Sequence, residues 1–378
     1  MSLSLMLLKA IEDLSTLQYL LEASPSAAAI FEQHYCEVTE ALLDRLPLHF
    51  QRLLRTIVAI QSNRLVVKDF VNSFEDPSQC RVFNIVRTIR ATRLLTNTTH
   101  SFAAVRSLVS SAGQVQRLSQ CFFDTFLARV KGIRPYRIAD DRYHYRDYPG
   151  ELPERLPYQP LHCGPASWVE EQRVLRALWR LQLYFCLVSI VEDGGGIDGI
   201  ARNACLIGGL HNVWKDEAAW QIDELDCVYE FLVEMETSTA PLSSLPSVAS
   251  RLVTAPQRPP EHTEAHCRCE QTPIFLRDWP GPGASYFSAV GIYHYSPLHG
   301  ASFKPLRRLG MGIWDRKKMV GLGLVNVRHA DMPDCNEDAH AGTTSDTPPF
   351  RKIITLDDLI CRWKSIEIQA KEDFPGNN

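Results

Sequence analysis

The 378-residue chain has the composition of an ordinary globular protein, with 45% hydrophobic and 22% charged residues, so most of it is expected to fold. Its net charge of -4 lacks the basic excess that nucleic-acid-binding proteins usually carry. No apolar run reaches the about 18 residues of a membrane span. We therefore predict neither a nucleic-acid partner nor a membrane partner.

The cysteines and the first residues bear on the cellular compartment. Eleven cysteines scattered along a long chain favour reduced thiols over a disulfide framework. The opening MSLSLMLLKAIEDL is interrupted by Lys9, Glu12 and Asp13 and has no basic leader, so we interpret it as a first helix and not as a signal peptide. These features predict an intracellular protein, either cytoplasmic or nuclear.

Residues 1–62 have the pattern of several short helices. Leu5, Leu8, Ile11 and Leu14 recur at helical spacing and share one face. Helices this short are not stable alone and must pack on one another. The region is therefore expected to form a small helical unit.

The helical body is predicted at residues 63–240, and its clearest helix covers residues 167–192. Ser167 and Glu170 form a capping box there, in which each side chain satisfies a backbone amide at the helix start. A basic stripe on this helix consists of Arg173, Arg176 and Arg180. We interpret the stripe either as a solvated face or as one that is ion-paired with acidic neighbours.

A second, acidic helix is predicted from Asp216 to Glu234. Its acidic positions are Asp223, Glu224, Asp226 and Glu230. If this surface lies beside the basic stripe, the two helices are antiparallel. Packing would then hold them first and ion pairs second, since exposed pairs contribute only about 0–1 kcal/mol.

The remaining segments are less regular. Five prolines between residues 135 and 160 forbid a long helix there. Residues 241–284 are rich in Ser, Thr and Pro and are predicted to form a long loop. Residues 285–378 are predicted to pack on the body as a C-terminal segment. The predicted fold is mainly α, with short N-terminal helices followed by an irregular multi-helix body with long loops.

Within the proline-rich stretch, tyrosine alternates with arginine in DRYHYRDY, residues 141–148. Both residue types are favoured at binding hot spots, so this loop is a candidate protein-contact surface. The alternative is that the tyrosines lie over the helical core, because tyrosine buries its ring readily while its hydroxyl stays in water.

Four segments together resemble a known family. EEQRVLRALWRLQLYFCLVS, WQIDELDCVYEFL and LRRLGMGIWDRKKMVGLGL resemble, in that order, recurring blocks of a large family of uncharacterised proteins of filamentous fungi. The opening IEDLSTLQYLLEASPSAAAIF is similar to the second half of an F-box, although the chain lacks the Leu-Pro and acidic residue that begin a complete one.

The resemblance implies an F-box-like region at residues 1–62 and a protein partner, such as the Skp-type adaptor of a ubiquitin ligase. The residues expected to contact the partner are Leu5, Leu8, Ile11 and Leu14. The implied function is protein–protein interaction, as a substrate-recognition or scaffold component.

A weak candidate for a metal site lies in EHTEAHCRCE. Its potential zinc ligands are His262, His266, Cys267 and Cys269. Cys-x-Cys next to His is cramped for a tetrahedral site, which normally uses two pairs from separated turns. Cys163 or Cys335 would have to supply a remote ligand, so we interpret the motif as part of a loop and predict no metal.

The chain shows no recognised catalytic pattern. It has no G-x-S-x-G motif, and the glycine-rich residues 194–203 lack the Lys and Ser/Thr of a phosphate-binding loop. We therefore predict an interaction protein without catalysis and without a cofactor. The alternative is an enzyme or a zinc-dependent module whose site is assembled from residues far apart in the chain.

Overall fold

The computed structural model is mainly α-helical, which confirms the predicted fold class. It describes residues 3–62, 101–140, 142–149, 151–160, 164–192, 219–237, 282–325 and 354–373. The helices are α1 (Leu3–Ala10), α2 (Leu14–Ala23), α3 (Pro25–Leu43), α4 (Leu48–Gln61), α5 (Phe102–Gly132), α6 (Trp168–Glu192), α7 (Ala219–Thr237), α8 (Pro282–Gly291), α9 (Lys304–Arg307), α10 (Arg316–Gly321) and α11 (Leu356–Asp373). Strands β1 (Tyr136–Ile138) and β2 (Arg155–Pro157) form an antiparallel pair. None of the described helices is long and apolar enough to cross a membrane.

The chain divides into two compact units, each made of two separate segments. Unit 1 comprises Met1–Phe122 and Glu171–Glu261, and unit 2 comprises Phe123–Glu170 and His262–Asn378. The four contiguous ranges inferred from the sequence stay a prediction. Of the long loop expected at residues 241–284, the last three residues belong to α8, and the rest lies outside the described residues.

The N-terminal part of unit 1 is a small helical assembly in which α1 and α2 both pack on α3. Asp13 begins α2, because its side chain accepts a hydrogen bond from the Thr16 amide at 2.7 Å. Ser24 ends α2 and caps α3, where Pro25 occupies the first turn, a position in which the missing N–H of proline costs nothing. These caps fix the short helices that the sequence predicts.

Helices α6 and α7 of unit 1 are joined by buried charges. Glu224 accepts two hydrogen bonds from Arg176 Nη2, at 3.0 and 2.7 Å, and its Oε1 lies 3.4 Å from Arg173 Nε. One turn further along α6, Arg180 donates a hydrogen bond to Gln221 Oε1 at 3.2 Å. The contacts run in opposite directions along the two helices, which are therefore antiparallel. The ion-paired interpretation of the basic stripe is thus confirmed for Arg173 and Arg176, while Arg180 contacts an uncharged amide.

The sequence predicts exposed ion pairs between these two helices, but the observed pairs are buried. The side chains of Glu224 and Arg176 are only 1% and 5% exposed. A buried ion pair gains little net stability because both charges lose their hydration, but removal of one partner costs several kcal/mol. The pairing thus constrains how the helices align more than it stabilises them.

Unit 2 contains a second buried carboxylate, Glu170, at the start of α6. The predicted capping box is present: the Ser167 amide donates to Glu170 Oε2 at 2.8 Å, and the Glu170 amide donates to Ser167 Oγ at 3.3 Å. The same carboxylate accepts from Lys318 Nζ at 2.9 Å and from the Asp315 amide at 2.8 Å. Burial and the nearby Asp315 charge raise the pKa of Glu170, while Lys318 opposes this effect.

Helix α11 completes the small sheet of unit 2. Two amides on the outer edge of β1 find acceptors on this helix: Tyr136 donates to Ser365 Oγ at 3.0 Å, and Ile138 donates to Asp358 Oδ1 at 2.9 Å. An edge strand normally leaves such amides unpaired. The buried Trp363 fixes the other side of the helix, donating from Nε1 to the Leu324 carbonyl at 3.1 Å.

We expect Glu224→Gln to lower the free energy of unfolding by about 3–5 kcal/mol. The substitution preserves the side-chain shape but removes the charge that two buried guanidinium groups face. Urea denaturation followed by circular dichroism measures the effect. Glu32→Gln, at an exposed position of α3, is the matched control and should change stability by less than about 0.5 kcal/mol. Equal stability of the two variants would contradict a constraining role for the pair.

Candidate protein-interaction surfaces

The residues predicted to bind a partner lie mostly in the core of unit 1. Leu5, Leu8 and Leu14 are buried, Leu8 to 2% exposure, and Ile11 is half-buried. Because α1 and α2 both pack on α3, a partner could reach the three leucines only if these helices moved away from it. As the structure places them, these residues hold the N-terminal helices together, and partner binding by them stays a prediction.

The opposite side of α1 is open to solvent. Met6 and Leu7 are 55% and 61% exposed and lie next to each other in the chain. Lys9, also on α1, forms an ion pair with Glu37 of α3 at 2.6 Å. Periodicity could not have identified this surface, since Leu3–Ala10 is apolar on nearly every side and offers no polar face to mark solvent.

The alternating tyrosines of residues 142–149, here called the Tyr143 loop, divide between core and surface. Tyr145 is buried, and burial raises its pKa and raises the pKa of the neighbouring Cys361 thiol to about 11. Tyr143 donates from its hydroxyl to the Glu151 carbonyl at 3.0 Å and stacks on the exposed Tyr148, with ring centroids 5.4 Å apart. Tyr145 therefore lies over the core, as the second interpretation expects, and a protein contact by the exposed Tyr148 stays a prediction.

Asp357, in the first turn of α11, holds the Tyr143 loop in place. Its carboxylate accepts a hydrogen bond from the Tyr145 amide at 3.1 Å and lies 2.9 Å from His144 Nδ1. The hydrogen bond to Asp357 raises the pKa of His144, and the Asp147 charge acts in the same direction. His144 itself is exposed.

A second aromatic segment of unit 2, residues 292–303, is here called the Tyr293 loop. Its Tyr293 and Tyr295 rings stack with centroids 5.3 Å apart, and the His294 ring meets Tyr295 edge-on. Desolvation raises the pKa of Tyr295, with smaller effects from Tyr293 and Asp357 that the Arg146 charge opposes. The sequence signal for this loop is the run IYHY, which is too short to show a period.

The predicted metal ligands lie outside the described residues. This applies to His262, His266, Cys267 and Cys269, and also to the remote candidates Cys163 and Cys335. Within the part of the chain that the structure describes, no group of three or more His, Cys, Asp or Glu side chains is arranged to hold a metal ion. The zinc alternative therefore stays a prediction.

Comparison with known proteins adds no assignment. No protein-family model matches the chain, and no curated protein or solved structure is significantly similar to it. The likeness to F-box-like fungal proteins thus remains a hypothesis drawn from the sequence blocks alone.

The attachment of the Tyr143 loop to α11 predicts a pH dependence. Since Asp357 raises the pKa of His144, the folded protein holds the imidazole proton more tightly than the unfolded chain does. This contribution to stability is fully present below the unfolded pKa of about 6.5 and is lost as the pH rises through the folded pKa.

An NMR titration of the His144 ring, assigned with His144→Gln, should report a pKa above that of an unfolded histidine. Asp357→Asn should remove most of the increase. Asp147→Asn, which removes the weaker of the two acidic influences, is the matched control and should change the pKa less. A larger effect of the control would show that Asp357 does not govern His144.

Proposed function

We propose that this protein is a protein–protein interaction component that binds its partner through the exposed side of α1. The single observation that supports this best is the adjacent pair Met6 and Leu7, whose side chains are 55% and 61% exposed on a helix that is anchored by the buried Leu5 and Leu8. Removing large apolar side chains from water on association is a favourable contribution to binding. In agreement with the resemblance to F-box-like proteins, the proposed partner is a Skp-type ubiquitin-ligase adaptor.

The packing of α1 favours such a role because it presents the pair on a fixed support. The buried Leu5 and Leu8 secure the helix from below, and Lys9 is paired with Glu37 beside it. The chain that follows α1 is also fixed, since Arg45 Nη1 donates to the Ile11 carbonyl at 2.8 Å. A helix backbone that is already ordered loses less conformational entropy on binding.

In this arrangement the predicted contact residues and the exposed ones have different tasks. Leu5, Leu8 and Leu14 keep α1 and α2 on α3, while Met6 and Leu7 contact the partner. A charge at Leu8 would therefore test folding and not binding, because the side chain is buried. Substitutions on the exposed side separate the two effects.

The double variant Met6→Asp/Leu7→Asp should reduce binding of a purified Skp-type adaptor by about 30-fold or more, the equivalent of about 2 kcal/mol. The cause would be the loss of apolar contact together with desolvation of the new carboxylates. Isothermal titration calorimetry on the full chain measures it. Phe185→Asp, at a comparably exposed position elsewhere in unit 1, should bind like the wild type.

Circular dichroism must show that both variants keep the helical content of the wild type. Absence of adaptor binding by the folded wild-type protein would refute the adaptor assignment. Equal loss in the Phe185→Asp variant would show that the effect is not specific to α1.

A further inference from the structure

Strand β2 has one edge that pairs with β1 and a second edge that faces away from it. Two hydrogen bonds that flank the pair set the pattern, from the Ala139 amide to the Glu154 carbonyl and from the Tyr158 amide to the Pro135 carbonyl, both at 2.9 Å. In an antiparallel pair, residues that bond to the partner strand alternate with residues whose backbone groups point outward. Every second residue between these two bonds therefore directs its N–H and C=O away from the other strand.

On β2 the outward residues are Arg155 and Pro157, which lie opposite Ile138 and Tyr136. The same alternation is visible on β1, where the outward amides of Tyr136 and Ile138 donate to side chains of α11. Since proline has no N–H, the outer edge of β2 offers one donor and two acceptors. The donor is the Arg155 amide, and the acceptors are the carbonyls of Arg155 and Pro157.

This outer edge of β2 is not covered as the outer edge of β1 is. All three residues of β2 are exposed. Within the part of the chain that the structure describes, no group bonds to the Arg155 amide or to the carbonyl of Arg155 or Pro157. Unpaired backbone groups along an exposed strand are a template for pairing with another strand.

Leu156 places an apolar side chain beside this edge. Successive side chains of a strand point to opposite faces. The Arg155 guanidinium lies on the Tyr136 side of the pair, 5.2 Å from the ring centroid. Leu156 therefore points to the other face, where it is 38% exposed. A neighbouring strand would bring its own side chain next to Leu156, and an aliphatic one would form a favourable cross-strand pair.

The proline of β2 distinguishes a strand from another protein from a second copy of this chain. Each copy of β2 supplies only one outward donor, so two copies paired with each other would form at most two hydrogen bonds. A proline-free strand would form three, because it donates to both carbonyls and accepts from the Arg155 amide. Proline on an edge strand is a common means of preventing edge-to-edge association. Here it disfavours a copy more than a different segment.

We propose that the outer edge of β2 binds an extended, proline-free segment of another protein as a third strand of the sheet. In this mode of recognition, backbone hydrogen bonds supply affinity and alternate side chains supply selectivity. The segment carries an aliphatic side chain at the position beside Leu156. Because the edge is only three residues long, the complex is small and transient.

This inference goes beyond adaptor binding by α1 and does not depend on it. Strand β2 belongs to unit 2, whereas Met6 and Leu7 belong to unit 1. The Met6→Asp/Leu7→Asp variant should therefore bind a strand-forming peptide like the wild type. Failure of one proposal leaves the other standing.

The test is an NMR titration of the full chain with two capped peptides. The first alternates Thr and Val and has a Lys at each end for solubility. The second has the same side chains but a methyl group on every backbone nitrogen of its Thr and Val residues. We expect the first peptide to shift the amide resonance of Arg155. The second should not, because N-methylation removes the donors that both carbonyls of the edge require.

A matched pair of variants tests the single outward donor. Arg155→Pro removes this N–H and Arg155→Ala keeps it, while both lose the same side chain. Arg155→Pro should bind the first peptide about fivefold more weakly than Arg155→Ala, the effect of one hydrogen bond. Peptide-dependent shifts of the Leu156 methyl groups give the affinity. The Arg155 amide takes no part in the bonds to β1, so proline at this edge position leaves those bonds in place.

A second pair of variants tests the proline of the strand. Pro157→Val adds a second outward N–H and should strengthen binding by about fivefold, the effect of one further hydrogen bond. Pro160→Val, which removes a proline outside β2, is the matched control and should bind like the wild type. This pair stays informative if Arg155→Pro does not fold.

Three outcomes would overturn the proposal. The first is an unchanged Arg155 amide resonance when the folded wild-type protein is titrated with the first peptide. The second is equal binding of the N-methylated peptide, which would show that backbone hydrogen bonds play no part. The third is a wild-type dimer in analytical ultracentrifugation that Arg155→Pro dissociates and Arg155→Ala does not, which would assign the edge to a second copy of the chain.

Discussion

The carboxylate of Glu224, enclosed between the guanidinium groups of Arg173 and Arg176, is the constraint on which the arrangement of α6 and α7 depends. A charge that leaves water must find its partner inside the protein, because the lost hydration is otherwise uncompensated. Sliding α7 by one turn along α6 would take this carboxylate away from at least one of the two guanidinium groups that enclose it. The alignment of the two helices is therefore set by charge, while apolar packing supplies the stability.

Unit 2 uses the same principle at Glu170, where the carboxylate joins two separate pieces of chain. It satisfies the amide of Ser167 at the helix start, the amide of Asp315 before α10, and the ammonium of Lys318 within α10. The Lys318 ammonium also lies over the Trp314 ring, 4.3 Å from its centroid. One acidic side chain thus fixes the segment that leads into the capping box relative to α10.

Sequence features within a single segment predicted many of these helix caps and faces. Contacts between segments that lie far apart in the chain were hardly predictable. The capping box of Ser167 and Glu170 and the acidic helix opposite the basic stripe were predictable, because spacing within a helix reveals caps and faces. The contact between Glu170 and Lys318 was not predictable, since nothing in the sequence of either segment indicates that the two segments meet. The β1–β2 pair was missed because its strands are only three residues long, and the exposed side of α1 because that helix has no polar face.

These limits explain why the exposed side of α1 became visible only in three dimensions. Fully burying a large apolar side chain is worth about 1.5–3 kcal/mol, and the fold obtains this gain at Leu8 but not at its exposed neighbours Met6 and Leu7. Isolated exposed residues of this kind need no explanation. Here each exposed residue adjoins another large apolar one, on elements that buried contacts hold rigid. A partner that covers these residues would remove their exposed apolar surface from water, at little further cost in chain entropy.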